Sequence, residues 1–460
     1  MIENNHEQEL NPIARMGNVL LRFSMKYMPD ASIFAVLITV VAFAAGVLLT
    51  SQGPVQMMEN WYRGFWELLT FSMQMSLIVV TGSAVANSPA IKKGIRRIAK
   101  IPGSGAQAVG LVAFLSILIS YLHWGLSLIV SALLAREVAG NLRRRNIYFE
   151  YGLIAAAAYV GQMTWQGALS SSIGLSIASS GHILESEMGI IPMSRYMGNM
   201  INIVTSAALL VFPPLFAMMM HPKKEGISPL EPMALEAIEK EDAAALTIPE
   251  NPSVGDRLNY SFVIAGIFGI MGWIYIVYAF AEKGFSALDI NMVNFIFLFS
   301  GLLLHRNIAN YVRAVGEAVS GAAGIIFQFP LYAGIQGIIK YSGLVGIMSS
   351  AIAAVSTPAT FYLWIFFGSA VISIFVPSGG GQWMVLGPIA IASAKMLGAD
   401  LIKTSLMVGY GHTWINMFQP FWAIALLGIT GLKAKDIMGY STAIMFCGGV
   451  IYILTSFLPV

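Results

Sequence analysis

Charged residues and cysteine are scarce in this 460-residue chain. Asp, Glu, Lys and Arg make up 11% of the residues and hydrophobic residues 57%, whereas soluble globular domains have roughly 25% charged residues. So few charged side chains could not cover the water-facing surfaces of soluble domains, which excludes most soluble enzymes, DNA-binding proteins and disordered scaffolds. The single cysteine, Cys447, excludes an internal disulfide and a multi-cysteine metal or iron–sulfur site. This composition indicates a polytopic membrane protein.

The net charge of +3 is small, and we expect no nucleic-acid partner. In a membrane protein, a small excess of Lys and Arg reflects basic loops kept on the cytoplasmic side. The polar residues 1–28 include Arg15, Arg22 and Lys26, which predicts a cytoplasmic N-terminal segment. The apolar run Ala31–Leu49 is long for the apolar part of a signal peptide, and no small-residue cleavage site follows it. We therefore predict a retained first span.

Two short apolar segments, Gly105–Ile119 and Leu126–Gly140, lie between two basic clusters. The clusters are Lys92, Lys93, Arg96, Arg97 and Lys100 before the segments, and Arg136, Arg143, Arg144 and Arg145 around and after their end. If both clusters stay in the cytoplasm, the chain must leave the membrane on the side where it entered. This predicts a re-entrant hairpin over residues 105–140, and the alternative is two tilted full spans with one cluster outside.

The second half of the chain repeats features of the first. Asn60–Glu67 aligns with Asn310–Glu317 at an offset of 250 positions, and each segment has an Arg and a Glu four residues apart. A second apolar hairpin is predicted over residues 357–397, with a break at Pro377–Trp383. Five predicted spans separate the equivalent starting points, and an odd number inverts the second copy. Weak internal symmetry with paired broken helices is typical of secondary transporters.

We therefore predict an all-α polytopic membrane protein with two inverted structural repeats, each with a re-entrant hairpin and a broken transmembrane helix. The broken helices are the long spans Gly152–Ser180 and Leu401–Gly431, which polar residues interrupt. The predicted division is a cytoplasmic N-terminal segment at 1–28, a first repeat at 29–220, a cytoplasmic linker at 221–257, a connecting transmembrane helix at 258–284 and a second repeat at 285–460.

The break of the second hairpin carries the strongest chemical signal. Proline removes an amide donor and three glycines remove the Cβ restriction, so no helix continues through Pro377–Gly381. The next half-helix is therefore expected to begin near Gln382, with free amides from Gly379 to Gln382, the positive end of its dipole and the Ser378 hydroxyl as a further donor. Such a terminus inside the membrane suits a carboxylate. A glycine-rich surface turn or a close-packing contact is the alternative.

The candidate site residues cluster at the two hairpin tips and in the two broken spans. The substrate-binding candidates are Ser378, Gly379, Gly380, Gly381, Gln382 and Trp383 at the second tip, His123, Trp124 and Gly125 at the first tip, and Thr164, Gln166, His412 and Asn416 in the broken spans. The ion-coupling candidates are Ser170, Ser171, His412, Thr413 and Gln419, for Na⁺ or H⁺. We predict no catalytic residue, no resident cofactor and no metal other than a coupling Na⁺.

Each of these candidates has a structural alternative. Ser and Thr in membrane helices bond to their own backbone or to a neighbouring helix, and a lone buried His can be a satisfied hydrogen-bonding residue. A coupling proton on His123 or His412 is the functional interpretation. Trp124, Trp165, Trp383 and Trp414 flank the breaks, where a ring could pack against a short acyl chain or serve ordinary helix packing.

Three motifs, Pro377–Trp383, Asn416–Ala423 and Gly431–Tyr440, make the chain similar to the bacterial short-chain fatty acid transporter family over nearly its whole length. The resemblance implies uptake of small monocarboxylates such as acetoacetate or butyrate across the inner membrane, coupled to H⁺ or Na⁺. It also implies kinship with the wider ion transporter superfamily, whose members often work as dimeric elevators. We therefore expect a multi-pass protein in the lipid bilayer that forms a homodimer.

Three positions depart from the pattern typical of that family, which has Asn at the position of His123, His at that of Gln166 and Asp at that of His412. These departures leave the exact carboxylate and the coupling ion open. Transport of dicarboxylates or another small organic anion, or cation/proton antiport, is the alternative within the superfamily. An intramembrane enzyme would need a nucleophile–base pair or a metal-ligand motif, and a sensor would need a soluble signalling domain.

Overall fold

The structure is a computed structural model that describes residues 31–222, 252–418 and 422–459. Every regular element in these ranges is helical, which confirms the predicted all-α class. Seven helical segments of the described chain are long and apolar enough to cross a bilayer. The predicted N-terminal segment 1–28, most of the linker 221–257 and Gln419 lie outside the described residues.

The helices of the first half run from Ala31 to Met219. Their bounds are α1 Ala31–Leu49, α2 Pro54–Glu67, α3 Leu69–Ala86, α4 Pro89–Ile98, α5 Gly105–Leu122, α6 Trp124–Arg144, α7 Tyr151–Tyr159, α8 Ser172–Ala178, α9 Glu185–Met188, α10 Met193–Met197 and α11 Met200–Met219. Between α7 and α8 the chain forms two short 3₁₀ turns, Val160–Met163 and Trp165–Gly167. The predicted span Gly152–Ser180 is therefore a broken helix.

The helices of the second half run from Val254 to Ser456. Their bounds are α12 Val254–Asn259, α13 Phe262–Lys283, α14 Ile290–His305, α15 Ile308–Val319, α16 Ala323–Ser342, α17 Leu344–Val355, α18 Phe361–Phe375, α19 Gly379–Leu397, α20 Leu401–Asn416, α21 Ala423–Thr430 and α22 Ala434–Ser456. The predicted span Leu401–Gly431 is thus also broken, because α20 ends at Asn416 and α21 starts at Ala423.

The first hairpin consists of α5 and α6, joined by His123 alone. The Ser127 hydroxyl donates to the Ser116 carbonyl at 2.7 Å, so the two arms run antiparallel, side by side. The arms have 18 and 21 residues, longer than the two segments seen in the sequence, because the polar residues near the tip and Arg143 and Arg144 at the open end are also helical. Each arm is long enough to cross a bilayer, and re-entry stays a prediction.

Each hairpin has an open end where a hydrogen bond connects its two arms. At the open end of the first hairpin, Arg145 Nη1 donates to the Pro102 carbonyl at 2.7 Å. At the open end of the second hairpin, formed by α18 and α19, the amide of Asp400 donates to Tyr362 Oη at 2.9 Å. These two contacts mark where each hairpin begins and ends.

The open ends of the two hairpins lie at opposite ends of the long helix α22. A Cβ on Gly152, just beyond the first hairpin, would overlap the carbonyl oxygen of Asp436 in the first turn of α22. Beyond the second hairpin, Lys403 Nζ donates to the carbonyl of Leu458, past the last turn of α22, at 2.8 Å. The two hairpin tips therefore point toward each other from opposite sides of the helical bundle.

Equivalent helices of the two halves exchange partners. The segments aligned in the sequence lie in α2 and α15, and in each the Arg and the Glu form an ion pair, Arg63–Glu67 at 3.2 Å and Arg313–Glu317 at 3.7 Å. Helix α2 packs against α16 of the second half, whereas α15 packs against α3 of the first half. The four helices α2, α3, α15 and α16 therefore connect the two halves beside the hairpins, and we call them the framework helices.

Replacing Gly64 with alanine should destabilise this framework. A Cβ there would overlap the Ala333 carbonyl and lie 2.6 Å from Gly337 Cα, both backbone atoms of α16. The helices must separate, and overpacking of this kind costs about 1–3 kcal/mol. We expect a lower thermal unfolding temperature of the purified protein in detergent. Gly316→Ala in α15 is the matched control, because its Cβ would meet nothing within 4 Å, and equal melting temperatures of the two variants would contradict the close crossing.

Candidate functional site

The second hairpin tip begins helix α19 at Gly379, three residues before the predicted start near Gln382, because the Ser378 cap lets the glycines join the first turn. Ser378 is the N-cap, and its hydroxyl oxygen accepts from the Gly381 amide at 3.3 Å. The Gln382 amide donates to the Ser378 carbonyl at 2.8 Å. The expectation of four free amides is therefore corrected, because the cap engages two of them. The amides of Gly379 and Gly380 have no acceptor among the described residues, and the Ser378 hydroxyl can still donate its proton.

Gln166 organises the break between α7 and α8. Its Oε1 accepts from the Ser171 hydroxyl at 2.9 Å and its Nε2 donates to Ser172 Oγ at 2.9 Å. Its backbone carbonyl accepts from the Tyr196 hydroxyl at 3.0 Å. Ser171 also caps α8 by accepting from the Gly174 amide at 2.9 Å. A single fully buried side chain thus holds the unwound segment against the start of α8.

The second hairpin tip rests directly on this unwound segment. A Cβ on Gly379 would overlap Gln166 Nε2 and would lie 2.9 Å from Trp165 Cη2 and 3.0 Å from Ser172 Oγ. A Cβ on Gly409 of α20 would lie 2.9 Å from the Cβ of Gln166. Only glycine permits this approach at the tip, so the structure brings together the two features that the sequence pointed to separately.

Trp124, at the first hairpin tip, also contacts the unwound segment between α7 and α8. Its backbone amide donates to Ser170 Oγ at 2.9 Å, and its ring lies 5.0 Å from that of Trp422 and 5.3 Å from that of Trp165, centroid to centroid. Trp422 Nε1 donates to the Pro377 carbonyl at 2.6 Å. A cluster of three indoles therefore connects the two tips.

His412 lies beside this indole cluster on helix α20. Its Nδ1 is 2.7 Å from the Ser373 hydroxyl on α18, and its Nε2 is 3.0 Å from Asn416 Nδ2. The imidazole is fully buried and meets the Trp165 ring edge-on at 5.7 Å. The Asn416 carbonyl accepts from the Tyr159 hydroxyl at 3.1 Å, which joins the end of α20 to the end of α7.

Several predicted residues lie around the site but are turned to other partners. The His123 ring packs on the Phe297 ring, tilted by 46° with the centroids 4.0 Å apart, and against Gly82, between helices α3 and α14. Gly125 adjoins the same imidazole. The hydroxyls of Thr164 and Thr413 donate to the carbonyls three residues before them, at 3.0 and 3.2 Å. This is the backbone bonding that we gave as the alternative.

The rest of the second tip packs against the framework helices and its own hairpin. A Cβ on Gly380 would lie 3.1 Å from the Phe71 ring, and one on Gly381 would lie 2.5 Å from the Tyr332 ring. The side-chain Nε2 of Gln382 donates to the Ser369 hydroxyl oxygen, on the other arm of the hairpin, at 2.8 Å. Trp383 is fully buried and packs on Gly387 of its own helix.

Several buried polar side-chain atoms around the tips have no hydrogen-bond partner among the described residues. They include the indole nitrogens of Trp124, Trp165 and Trp383, which are donors, His123 Nε2, and the side-chain oxygens of Gln382 and Asn416, which are acceptors. Each such atom is costly to leave unpaired. The Trp165 ring lies against Gly379 and the Trp124 ring packs on Trp165, so this side of the site has neutral N–H groups that suit an anion.

The contacts of Ser172, Ser373 and Trp422 were not predicted from the sequence. Ser172 belongs to the Ser170–Ser172 run, and its neighbour Ser171 was a candidate. Trp422 lies in the Asn416–Ala423 motif that carried the family resemblance. Ser373 had no local signal, because it reaches His412 from a helix 39 positions away in the chain.

Comparisons with known proteins agree with this architecture. A family model described as "Short chain fatty acid transporter" matches residues 12–458. A protein of Escherichia coli (strain K12), provisionally named a short-chain fatty acid transporter, is 40% identical over 96% of this chain and 99% of its own length. A protein of Haemophilus influenzae with the same provisional name is 39% identical over 97% of this chain and 100% of its own length.

Two solved structures are similar in fold. The Alcanivorax borkumensis YdaH transporter, described as having an unusual topology, matches with a TM-score of 0.58 at 14% identity, over 93% of this chain and 97% of its own. Neisseria gonorrhoeae MtrF, presented in a study of antimetabolite efflux pumps, matches with a TM-score of 0.50 at 11% identity, over 94% of each chain. At these identities the similarity concerns the fold alone.

Proposed function

Because the chain belongs to the short-chain fatty acid transporter family, it is a multi-pass membrane transporter and not an enzyme, and we propose that its substrates are short-chain monocarboxylates such as butyrate and acetoacetate. In this proposal the protein is a secondary active transporter of the bacterial inner membrane, and it couples uptake to H⁺ or Na⁺. Its substrate site is the contact between the second hairpin tip and the unwound segment after α7.

The observation that supports this site most strongly is its set of neutral donors. The second tip has the free amides of Gly379 and Gly380 and the Ser378 hydroxyl, the Trp165 ring lies against Gly379, and the Trp124 ring packs on Trp165. Both indole nitrogens are buried donors without a partner among the described residues, and none of these groups is charged. Amides at a helix N-terminus stabilise one negative charge. A dicarboxylate would need a second clamp with Arg, Lys or several donors, and no Lys or Arg contacts either tip among the described residues. The donor set therefore fits one carboxylate with a short apolar tail against the indoles.

Alternating access is the second part of the proposal. The hairpin tips meet from opposite sides of the bundle, which is the arrangement that two inverted repeats at 29–220 and 285–460 would produce. Gly380 and Gly381 face the aromatic rings of Phe71 and Tyr332 on the framework helices. A smooth contact of glycine on aromatic rings is suited to sliding. We propose that the hairpins and broken helices move as one body along the framework, in an elevator motion within a homodimer.

Gradient-driven accumulation by proteoliposomes tests the transport claim. Purified protein should accumulate labelled acetoacetate above the outside concentration when an inward gradient of either H⁺ or Na⁺ is imposed, and an ionophore that collapses that gradient should abolish the accumulation. Protein-free liposomes measure passive entry of the undissociated acid. If neither gradient produces accumulation above that background, secondary active transport of this substrate class is wrong.

A further inference from the structure

We propose that His412 is the binding site of a coupling proton and that the neighbouring Asn416 amide rotates to accommodate it. This inference rests on the proposed function, because it assigns the coupling ion of the same transport cycle. His412 and Asn416 lie four residues apart on α20, so both side chains face the same way on the helix.

The hydrogen bonds of His412 define a neutral ring. An amide nitrogen can only donate, so Asn416 Nδ2 donates to Nε2 of His412 over 3.0 Å. Since Nε2 is the acceptor, the ring proton is on Nδ1, which donates to the Ser373 hydroxyl oxygen over 2.7 Å. The ring therefore has one lone pair, on Nε2, that can take up a proton.

Asn416 can accept a hydrogen bond from a protonated Nε2 of His412. Its Oδ1 is buried and has no partner among the described residues. A half-turn of the amide would exchange the positions of Oδ1 and Nδ2 and present an acceptor to a protonated Nε2. The neutral and protonated forms of the pair are thus both hydrogen-bonded, and they differ by one proton and one amide rotation.

The surroundings of His412 give a protonated ring no counter-charge of their own. Among the described residues, the titratable group bonded to the pair is Tyr159 of α7, whose hydroxyl donates to the Asn416 carbonyl. Tyr452 of α22 reaches the neighbouring Thr413, and the Tyr410 hydroxyl on α20 donates to Asn202. From α18 and the unwound segment the facing groups are Ser373 and Trp165, which carry no charge. A buried, unpaired imidazolium is energetically costly, so the ring stays neutral while the site is empty.

A bound carboxylate would supply the missing charge. Trp165 meets the His412 ring at 5.7 Å on one side and lies against Gly379 on the other. His412 is therefore one indole away from the free amides of the second tip. A carboxylate at those amides and a proton on Nε2 stabilise each other, since opposite buried charges offset their desolvation. One proton would enter with each monocarboxylate, and the proton leaves Nε2 when the carboxylate departs.

The test is the number of protons moved per acetoacetate, measured in proteoliposomes with an internal pH dye and labelled substrate. Acetoacetate is used because it is a stronger acid than butyrate and permeates less as the undissociated acid, and protein-free liposomes give the background. The wild type should move about one proton per acetoacetate. His412→Gln, which keeps polarity but cannot hold a proton, should lower this ratio about tenfold. His182→Gln, at a histidine outside the site that bonds the Gly189 carbonyl, should keep the wild-type ratio.

A second variant tests the proposal if His412→Gln transports nothing. In Asn416→Asp a carboxylate would face Nε2 and favour the protonated ring, so the pH of half-maximal uptake should rise by about one unit or more. An unchanged pH profile in Asn416→Asp, or a wild-type proton ratio in an active His412→Gln protein, overturns the proposal. Net uptake of acetoacetate by the wild type without accompanying proton movement would also overturn it while leaving the proposed function intact, whereas the absence of any acetoacetate transport would refute both.

Discussion

Replacing Gly379 with alanine is expected to reduce butyrate uptake by roughly tenfold or more while leaving the amount of folded protein near normal. The added methyl would overlap Gln166 Nε2 and lie 2.9 Å from the Trp165 ring. Gln166 cannot move aside without losing its bond to Ser172. Overpacking costs about 1–3 kcal/mol, which corresponds to roughly a 5- to 150-fold change in an equilibrium. Uptake by proteoliposomes, normalised to protein recovered as a single gel-filtration peak, is the measurement.

Two further glycines give this experiment its controls. A Cβ on Gly380 would lie 3.1 Å from the edge of the Phe71 ring, which can shift slightly, so Gly380→Ala should have an intermediate effect. A Cβ on Gly368, in the other arm of the same hairpin, would meet nothing within 4 Å, so Gly368→Ala should transport like the wild type. Equal uptake by Gly379→Ala and Gly368→Ala would show that the tip does not rest on the unwound segment.

Gln166→Leu is expected to abolish uptake and to loosen the break between α7 and α8. Leucine has a similar volume but no polar atoms, so the Ser171 and Ser172 hydroxyls lose the partners that they have at 2.9 Å. Each buried polar group left unsatisfied costs about 1–3 kcal/mol. The unwound segment should then become accessible to water, so a cysteine at Ala168, introduced after Cys447 is replaced by serine, should react faster with a small maleimide.

The matched control for this variant is Gln74→Leu on α3. Gln74 is half-buried, and its Nε2 donates to Asn291 Oδ1 at 2.7 Å in a bond that is open to solvent. Gln74→Leu leaves the Gln166 bonds in place, so uptake should stay within about twofold of the wild type. Wild-type uptake and labelling in Gln166→Leu would contradict the organising role assigned to Gln166.

Local sequence signals predicted the helix breaks well. Proline at position 377 and the glycines after it stop one helix and let another start, because they act on the backbone itself, and α19 starts at Gly379. The apolar run Ala31–Leu49 became a helix with the same bounds, since hydrophobic length alone determines a span. The two interrupted spans also proved to be broken, since their polar residues coincide with the ends of regular helix.

Contacts between distant parts of the chain could not be predicted in this way. The direction of the His123 ring depends on Phe297, which is on a helix in the other half of the chain. The bond between Ser373 and His412 depends on how α18 packs against α20. The sequence around Gly64 does not indicate which helix crosses it, because the atoms in contact with Gly64 belong to the backbone of α16. The sequence therefore predicted which residues are polar and where helices end, but not which side chains meet.

The central claim is that the site between the second hairpin tip and the unwound segment carries short monocarboxylates, and counterflow tests it most directly. Proteoliposomes preloaded with unlabelled butyrate, with no ion gradient, should draw in labelled butyrate transiently against its outside concentration. Unlabelled C2–C6 monocarboxylates should compete, and succinate and citrate should not. Failure of every C2–C6 monocarboxylate to exchange, together with exchange of a di- or tricarboxylate, would contradict the claim.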